Sequence, residues 1–404
     1  MRPVYGRSPW VDQFPRARVP SYARLQRHVE TEVAIVGGGL TGCAVACAFA
    51  AAGIPVVLLE ADRIGRGASG SSPGWITETP ETGLVKSEAA LGRRPAEHAW
   101  QAWRRAARDF QALLRRLDCG LEPRAEVSIA QSAEQVALVN RELQRRRAAG
   151  VAAQAVPART LGAVCGFPAA AGLRTKGNAL VDPYRTTLGL AAAAVRRGAT
   201  IHERTPVTRT ARARDAVIVT AGASTIRAQR VVIATGQPGP LFKPLARHLG
   251  ARATYLVLTE PVPARLRGAL GSRDHLLRDL AQPPHALTRR EDERLLVSGA
   301  DSDAVPDRSR ASRLVQRTGQ LMYELSLFYP DISGLRPAYG WDLRYAATTT
   351  GLPLLGPHRN YPQHLFAWGT TGLSLTGAYL ASRILLRHHR GEPESTDEVF
   401  GFGH

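Results

Sequence analysis

The chain has 404 residues, length enough for about two domains. With 44% apolar and 22% charged residues it can bury a packed core, which excludes an intrinsically disordered protein. A formal net charge of +19 brings a nucleic acid or an anionic surface to mind, yet all but three of the 53 basic residues are arginine. Usage that one-sided, beside abundant Ala and Gly, reads as the codon bias of a GC-rich genome and argues against nucleic acid as partner.

Residues 1–30 read as an N-terminal extension, with scattered charges and Pro3, Pro15 and Pro20 but no apolar run of signal-peptide type; a cytoplasmic protein is expected. The first strong pattern is Val33 to Val36, a short apolar strand that runs into Gly37-Gly38-Gly39-Leu40-Thr41-Gly42. An Ala-rich helix follows to Ala52, then Gly53 as a stop, then a strand Val56 to Leu59 ending in Glu60. Cys43 and Cys47 fall inside this apolar helix and Cys119 and Cys165 stand alone, so neither disulfides nor a metal site are expected. In a G-x-G-x-x-G turn Gly37 permits the sharp bend, Gly39 lets a pyrophosphate approach, and Gly42 lets the helix pack on the strand. Amides at the helix start, including Leu40 and Thr41, then face the phosphates, and Glu60 is placed to accept both ribose hydroxyls of an adenosine.

A second Gly/Ser-rich stretch, Arg63-Ile-Gly-Arg-Gly67-Ala68-Ser69-Gly70, follows at once. Its order of acid, base and G-x-G-A-S-G resembles the D-amino-acid oxidase-like family of FAD-dependent oxidoreductases. The resemblance implies non-covalent FAD, with Arg63, Gly67, Ala68 and Ser69 on its pyrophosphate and flavin side. It extends through Asp182-Pro183, through Val207 (a backbone contact to adenine), and through Ala234-Thr235-Gly236. Near the C-terminus Gly351-Leu-Pro353 and Gly369-Thr370-Thr371-Gly372-Leu373 precede an apolar helix. A Gly-rich helix N-terminus there would offer amides and a positive dipole end to the negative charge of a reduced flavin.

The fold expected is α/β: a Rossmann-like FAD-binding domain of glutathione-reductase type, interleaved with an α+β substrate domain on a mainly antiparallel sheet. The cofactor domain is assigned 31–84, 176–245 and 350–404, and the substrate domain 85–175 and 246–349. In the latter, helices are predicted over Glu88 to Leu117, Ala133 to Ala149 and Arg310 to Leu327, and strands over Ala253 to Glu260 and Leu295 to Gly299. The arginines of the first two helices, Arg104, Arg105, Arg108 and Arg145 to Arg147 among them, read as solvated faces.

What the resemblance implies chemically is oxidation of the C–N bond of an amine or amino acid to an imine, by hydride transfer to the flavin. Gly334-Leu-Arg336-Pro337 looks like a carboxylate-binding stretch of amino-acid oxidases. Ala338 to Thr350 reads as an insertion after it, closer to the polyamine-oxidising branch. Substrate candidates are therefore Arg336, Trp341 and Tyr255, with an ordinary interdomain arginine and buried structural aromatics as the plainer alternatives. No histidine at 69–74 and no cysteine after Cys165 offers a covalent flavin link. The sarcosine oxidase branch uses a lysine near the flavin to assist reaction with oxygen; no lysine follows Lys243 here, so the resemblance implies a quinone or another electron carrier ahead of oxygen as acceptor. Three other readings stay open: a flavoenzyme of tRNA wobble-uridine modification, a flavin-binding partner subunit without its own substrate, and peripheral contact with anionic lipid.

Overall fold

A computed structural model describes residues 3–403. Two sheets organise the chain. The eight-stranded sheet runs, edge to edge, Leu354–His358, Tyr361–Trp368, Ser224–Gly236, Val29–Val36, Val56–Leu59 and Thr200–His202, with Val217–Ala221 paired on Ser224–Gly236 and Arg209–Arg212 on Val217–Ala221. Its four central neighbours from Tyr361–Trp368 to Val56–Leu59 pair in parallel. A parallel sheet is covered on both faces, which is why Val33 to Val36 and Val56 to Leu59 are apolar without alternation and buried throughout. The helix Leu40–Ala51 is buried on nearly every residue, so it too lacks an amphipathic stripe. It packs against the helices Pro183–Val195 and Thr376–Arg390. Asp182 caps the former, its carboxylate accepting the Tyr184 and Arg185 amides at 2.9 Å each.

The ten-stranded sheet runs Val4–Tyr5, Pro337–Ala347, Gly250–Thr259, Leu295–Asp303, Ala286–Arg289, His275–Asp279, Glu122–Ala130, Ala171–Leu180 and Trp75–Ile76, with Gln154–Pro157 paired on Ala171–Leu180. Its pairings are mainly antiparallel. Its strands alternate. On the front face Leu256, Leu258, Trp341 and Leu343 join one core with Ile35, Val45 and Leu385 of the other half. On the back face Tyr255, Val257 and Val297 pack beneath the helix Asp307–Phe328 through Leu314, Leu321 and Leu325.

Several sequence-based boundaries shift for local reasons. The long helix expected from Glu88 is two, Leu84–Leu91 and Arg93–Leu114, because Gly92 sits between them at φ +82°. Ala234-Thr235-Gly236 closes a single long strand, Ser224–Gly236. The expected extension contributes Val4–Tyr5, which pairs in parallel with Tyr339 and Gly340 at the edge of the larger sheet. Residue 176, where a domain boundary was expected, falls inside the strand Ala171–Leu180 of that same sheet. One predicted surface arginine is not on the surface: Arg146 is buried, bonds Glu142 at 2.7 Å and lies over the Trp100 ring at 4.8 Å. Among the described residues no helix is long and apolar enough to cross a membrane.

Candidate active site: a dinucleotide cavity and the chamber beside it

A cavity of about 620 Å³ opens at the carboxyl ends of the parallel strands. Gly37, Gly39, Leu40, Thr41, Glu60, Gly67, Ala68, Ser69, Val207, Thr235, Gly236 and Thr371 all line it. The backbone explains the glycines. Gly37 has φ +112°, and a methyl group there would meet the Ala234 carbonyl oxygen at 2.5 Å. Gly42 is outside the cavity and serves packing, since its methyl would lie 1.8 Å from the Gly37 carbonyl oxygen. Gly67 lines the cavity with nothing within 4 Å of a built methyl, leaving room where a cofactor must approach.

Side chains tie the loops together. The Ser69 hydroxyl accepts the Leu40 amide at 2.7 Å, so that amide caps the second glycine-rich loop and is not free for a phosphate. Glu60 accepts the Gly38 amide at 2.6 Å through Oε2 and the Asp62 amide at 2.8 Å through Oε1. Burial raises its carboxyl while these amides oppose the rise, and each oxygen keeps a lone pair for a ribose hydroxyl. Two contributors escaped sequence reasoning. Glu203, buried, accepts the Ile64 amide at 2.9 Å and fixes the turn after Glu60. Phe242, buried on a short helical segment Pro240–His248, forms part of the cavity wall. Neither lies in a spaced motif, so no local signal marks them.

Arg63 lies elsewhere. It lines a separate polar cleft with Arg7, Arg16, Asp62, Arg66 and Tyr184, on the outer side of the loop.

At the C-terminal loop the expectation needs one correction. The helix begins only at Thr376, so Thr370 to Leu373 form the loop before it and not its first turn. The amides of Ser374 and Leu375 are taken by Glu81 Oε1 at 3.1 Å and by the Trp75 carbonyl at 2.8 Å. Among the described residues, the amides of Thr371, Gly372 and Leu373 find no acceptor. They remain available as donors. Gly369, Thr370, Thr371 and Gly372 line a second chamber of about 110 Å³ with Glu81, Trp103 and Tyr345. Thr371 is shared with the dinucleotide cavity. A third recess, bounded by Leu373, adds Arg278, Thr254, Ser298 and Asp301 and again shares Glu81 and Tyr345. The three spaces therefore follow one another from the nucleotide end to the front face of the large sheet.

The predicted substrate residues do not meet there. Tyr255 points to the back face, buried in the core under the helix Asp307–Phe328 with Arg317 over its ring. Arg336 is exposed, and its backbone pairs with Glu260 at the far end of the sheet. The presumed insertion Ala338 to Thr350 is mostly the strand Pro337–Ala347 itself, so Arg336 lies roughly 30 Å along the strand from Tyr345. Trp341 is on the front face, but it is fully buried and its Nε1 donates to the Ser71 carbonyl at 2.8 Å. It braces the second glycine-rich loop against the sheet. The charged and aromatic residues that do line the chambers include Glu81, Arg278, Asp301 and Tyr345; of these only Tyr345 falls in a stretch singled out from the sequence, Ala338 to Thr350. Burial, and then the charge of Glu81, raises the Asp301 carboxyl, against the opposing effects of the Thr254 hydroxyl, Arg252 and Arg278. Burial and the charges of Asp301 and Glu81 raise the Tyr345 phenol.

The open glycine cradle, the acid at its adenosine end and the unpartnered amides fit an FAD. Comparisons with known proteins agree. The chain is 24% identical over 394 residues to gamma-glutamylputrescine oxidoreductase of Escherichia coli K12, covering 94% of this chain and 88% of that protein. It is 32% identical over 273 residues, 63% of this chain, to 35% of a bifunctional tRNA 5-methylaminomethyl-2-thiouridine biosynthesis protein of Chromohalobacter salexigens. The fold is similar to the crystal structure of glycine oxidase from Geobacillus kaustophilus, with a TM-score of 0.73 at 19% identity over 92% of this chain and 98% of that one. The family described as FAD dependent oxidoreductase matches residues 32–387, and with cavity, loops and sheet topology in agreement, this chain belongs to it.

Proposed function

We propose that the protein oxidises the C–N bond of an amine or amino acid, with the eight-stranded half holding non-covalent FAD and the ten-stranded half shaping the substrate chamber. Bound FAD supplies the two-electron acceptor for the hydride that leaves the carbon next to nitrogen. The substrate also loses a proton from nitrogen and departs as an imine. The chain's own groups then have distinct tasks. Free amides at Thr371, Gly372 and Leu373 donate to negative charge developing beside them, at no cost in reorganisation. Trp103, Tyr345 and Leu373 narrow the space and exclude water. One observation carries the reading: half-buried groups of both charges, Glu81, Asp301 and Arg278, border two chambers that share Glu81 and Tyr345, the first of which shares Thr371 with the dinucleotide cavity. An electron acceptor such as oxygen or a quinone-type carrier completes the cycle, and a cytoplasmic enzyme suits the reading.

Anaerobic mixing of the yellow holoprotein with amino acids, N-methyl amino acids and diamines tests it. Bleaching of the flavin by at least one class is expected. A protein that holds FAD and is bleached by none of them overturns amine oxidation. The speed at which colour returns on admitting oxygen separates an oxidase from a dehydrogenase. The partial similarity to a tRNA-modifying protein favours RNA as a second reading. Salt-sensitive retention of tRNA supports that reading, and none at moderate salt removes it.

A further inference from the structure

The strand Leu295–Asp303 is irregular at one place, and the irregularity decides what faces the chamber. Ser298 lies on the front face and lines the recess. Strict alternation would therefore turn Ala300 to the front and Asp301 to the back. The structure has the reverse: Ala300 is buried in the back-face core, and Asp301 lines the recess beside Ser298. Pairing with Gly250–Thr259 slips at this point, Ala253 opposing Ser302 while Tyr255 opposes Gly299. Thr254 thus faces two residues, Ala300 and Asp301, which makes a β-bulge. Ala300 adopts φ +54°, a left-handed conformation that costs a non-glycine residue about 1 kcal/mol. The fold accepts this strain and the result is an acid turned towards the cofactor side.

The acid is only partly satisfied there, with the Thr254 hydroxyl beside its carboxyl group. Asp301 Oδ1 is buried without a hydrogen bond. Among the described residues, neither Asp301 nor its charged neighbours Glu81 and Arg278 are joined in an ion pair; Arg278 donates instead to the Glu81 carbonyl at 3.0 Å. Glu126, on the same face and buried, also leaves Oε2 unpartnered. Buried charges left unpaired cost stability unless a ligand completes them. Of the other cations nearby, Arg252 is paired with Asp303 at 2.7 Å, Arg146 with Glu142 at 2.7 Å, and His285 with Asp279 and Glu324. Glu81, Asp301 and Glu126 against the one remaining guanidinium of Arg278 leave a negative balance, so the missing group is a cation.

We propose that Asp301 is the specificity-determining residue of the chamber, receiving the N–H groups of a cationic substrate nitrogen between itself, Tyr345 and Glu81. This rests on the amine-oxidation reading and names which residue recognises the amine. Recognition can be read without turnover. tert-Butylammonium has no hydrogen on the carbon bearing nitrogen and cannot be oxidised, and tert-butanol is its neutral counterpart of like shape. Titrating each into the holoenzyme and following the flavin absorbance gives two affinities. The wild type is expected to hold the cation about tenfold or more tightly than the alcohol. Asp301→Asn should bring the two within about threefold while still retaining FAD, and Asp301→Glu should keep a preference for the cation. Equal affinities in the wild type, or a preference unchanged in Asp301→Asn, overturn the proposal; the wild-type comparison decides even where a variant fails to hold FAD. If the cation is preferred yet no amine bleaches the flavin, the recognition stands and the oxidation reading falls. Bleaching without cation preference gives the converse.

Discussion

The hydroxyls of Thr41 and Thr370, separated by 329 positions in the chain, meet at 2.7 Å. Both side chains are buried, so this bond joins the first glycine-rich turn to the C-terminal loop away from bulk water. Each end of the cofactor cradle holds the other.

Thr41→Val or Thr370→Val should therefore leave one buried hydroxyl without its partner, at a cost of about 1–3 kcal/mol, and loosen FAD. The double variant should cost less than the sum of the singles. Thermal melting and FAD retention of the four proteins form the cycle, and strict additivity would count against the bond.

Two glycines should separate folding from cofactor binding. Gly42→Ala drives a methyl group into the Gly37 carbonyl and should destabilise the protein by at least about 2 kcal/mol, with or without FAD. Gly67 has φ −84° and open space around it, so Gly67→Val should fold as well as the wild type without FAD. Its loss should appear only in the FAD dissociation constant.

His285 supplies a pH dependence. Its Nδ1 bonds Asp279 Oδ2 at 2.6 Å and its Nε2 bonds Glu324 Oε2 at 3.0 Å, tying the recess-lining loop to the helix Asp307–Phe328. Burial alone would lower its pKa, but the two carboxylates outweigh burial and bring it from 6.5 up to about 9. A folded value above the unfolded one stabilises fully below pH 6.5, and the contribution disappears as pH rises through about 9. Melting temperatures of the wild type and His285→Asn should accordingly converge across that interval. A gap of constant size would show that the imidazolium is not what holds the helix.

Arg336→Ala and Tyr255→Phe are expected to leave KM within about twofold of the wild type, because neither side chain lines the chambers. Steady-state kinetics with whichever amine bleaches the flavin will show it. A tenfold rise in KM for either would mean that the substrate approaches from another direction.

These contrasts mark what could be read from the chain alone. The dinucleotide site was legible since its parts are contiguous: a strand, a turn that only glycine can make, a helix start and an acid, all within residues 33–60. Their geometry depends on local backbone conformation, which residue type dictates. The second loop and the C-terminal glycines were legible by resemblance, although the helix they precede starts later than expected.

The substrate side was not legible in the same way. Tyr255 and Tyr345 are both aromatic residues on adjacent strands, and only the pairing places one under a helix and the other in the chamber. Asp301 faces the cofactor side because a bulge opposite Thr254 reverses the alternation, and nothing in the residues around it announces the slip. The +19 charge was equally mute: Arg105, Arg108, Arg115, Arg116 and Arg147 are exposed as expected, while Arg146 in the same run is packed and paired. The sequence by itself determined a dinucleotide site, through short-range conformational constraints on glycine and backbone amides, and its resemblance to the family pointed to FAD. The tertiary structure alone decided which face each strand residue occupies, because that depends on register between segments far apart in the chain.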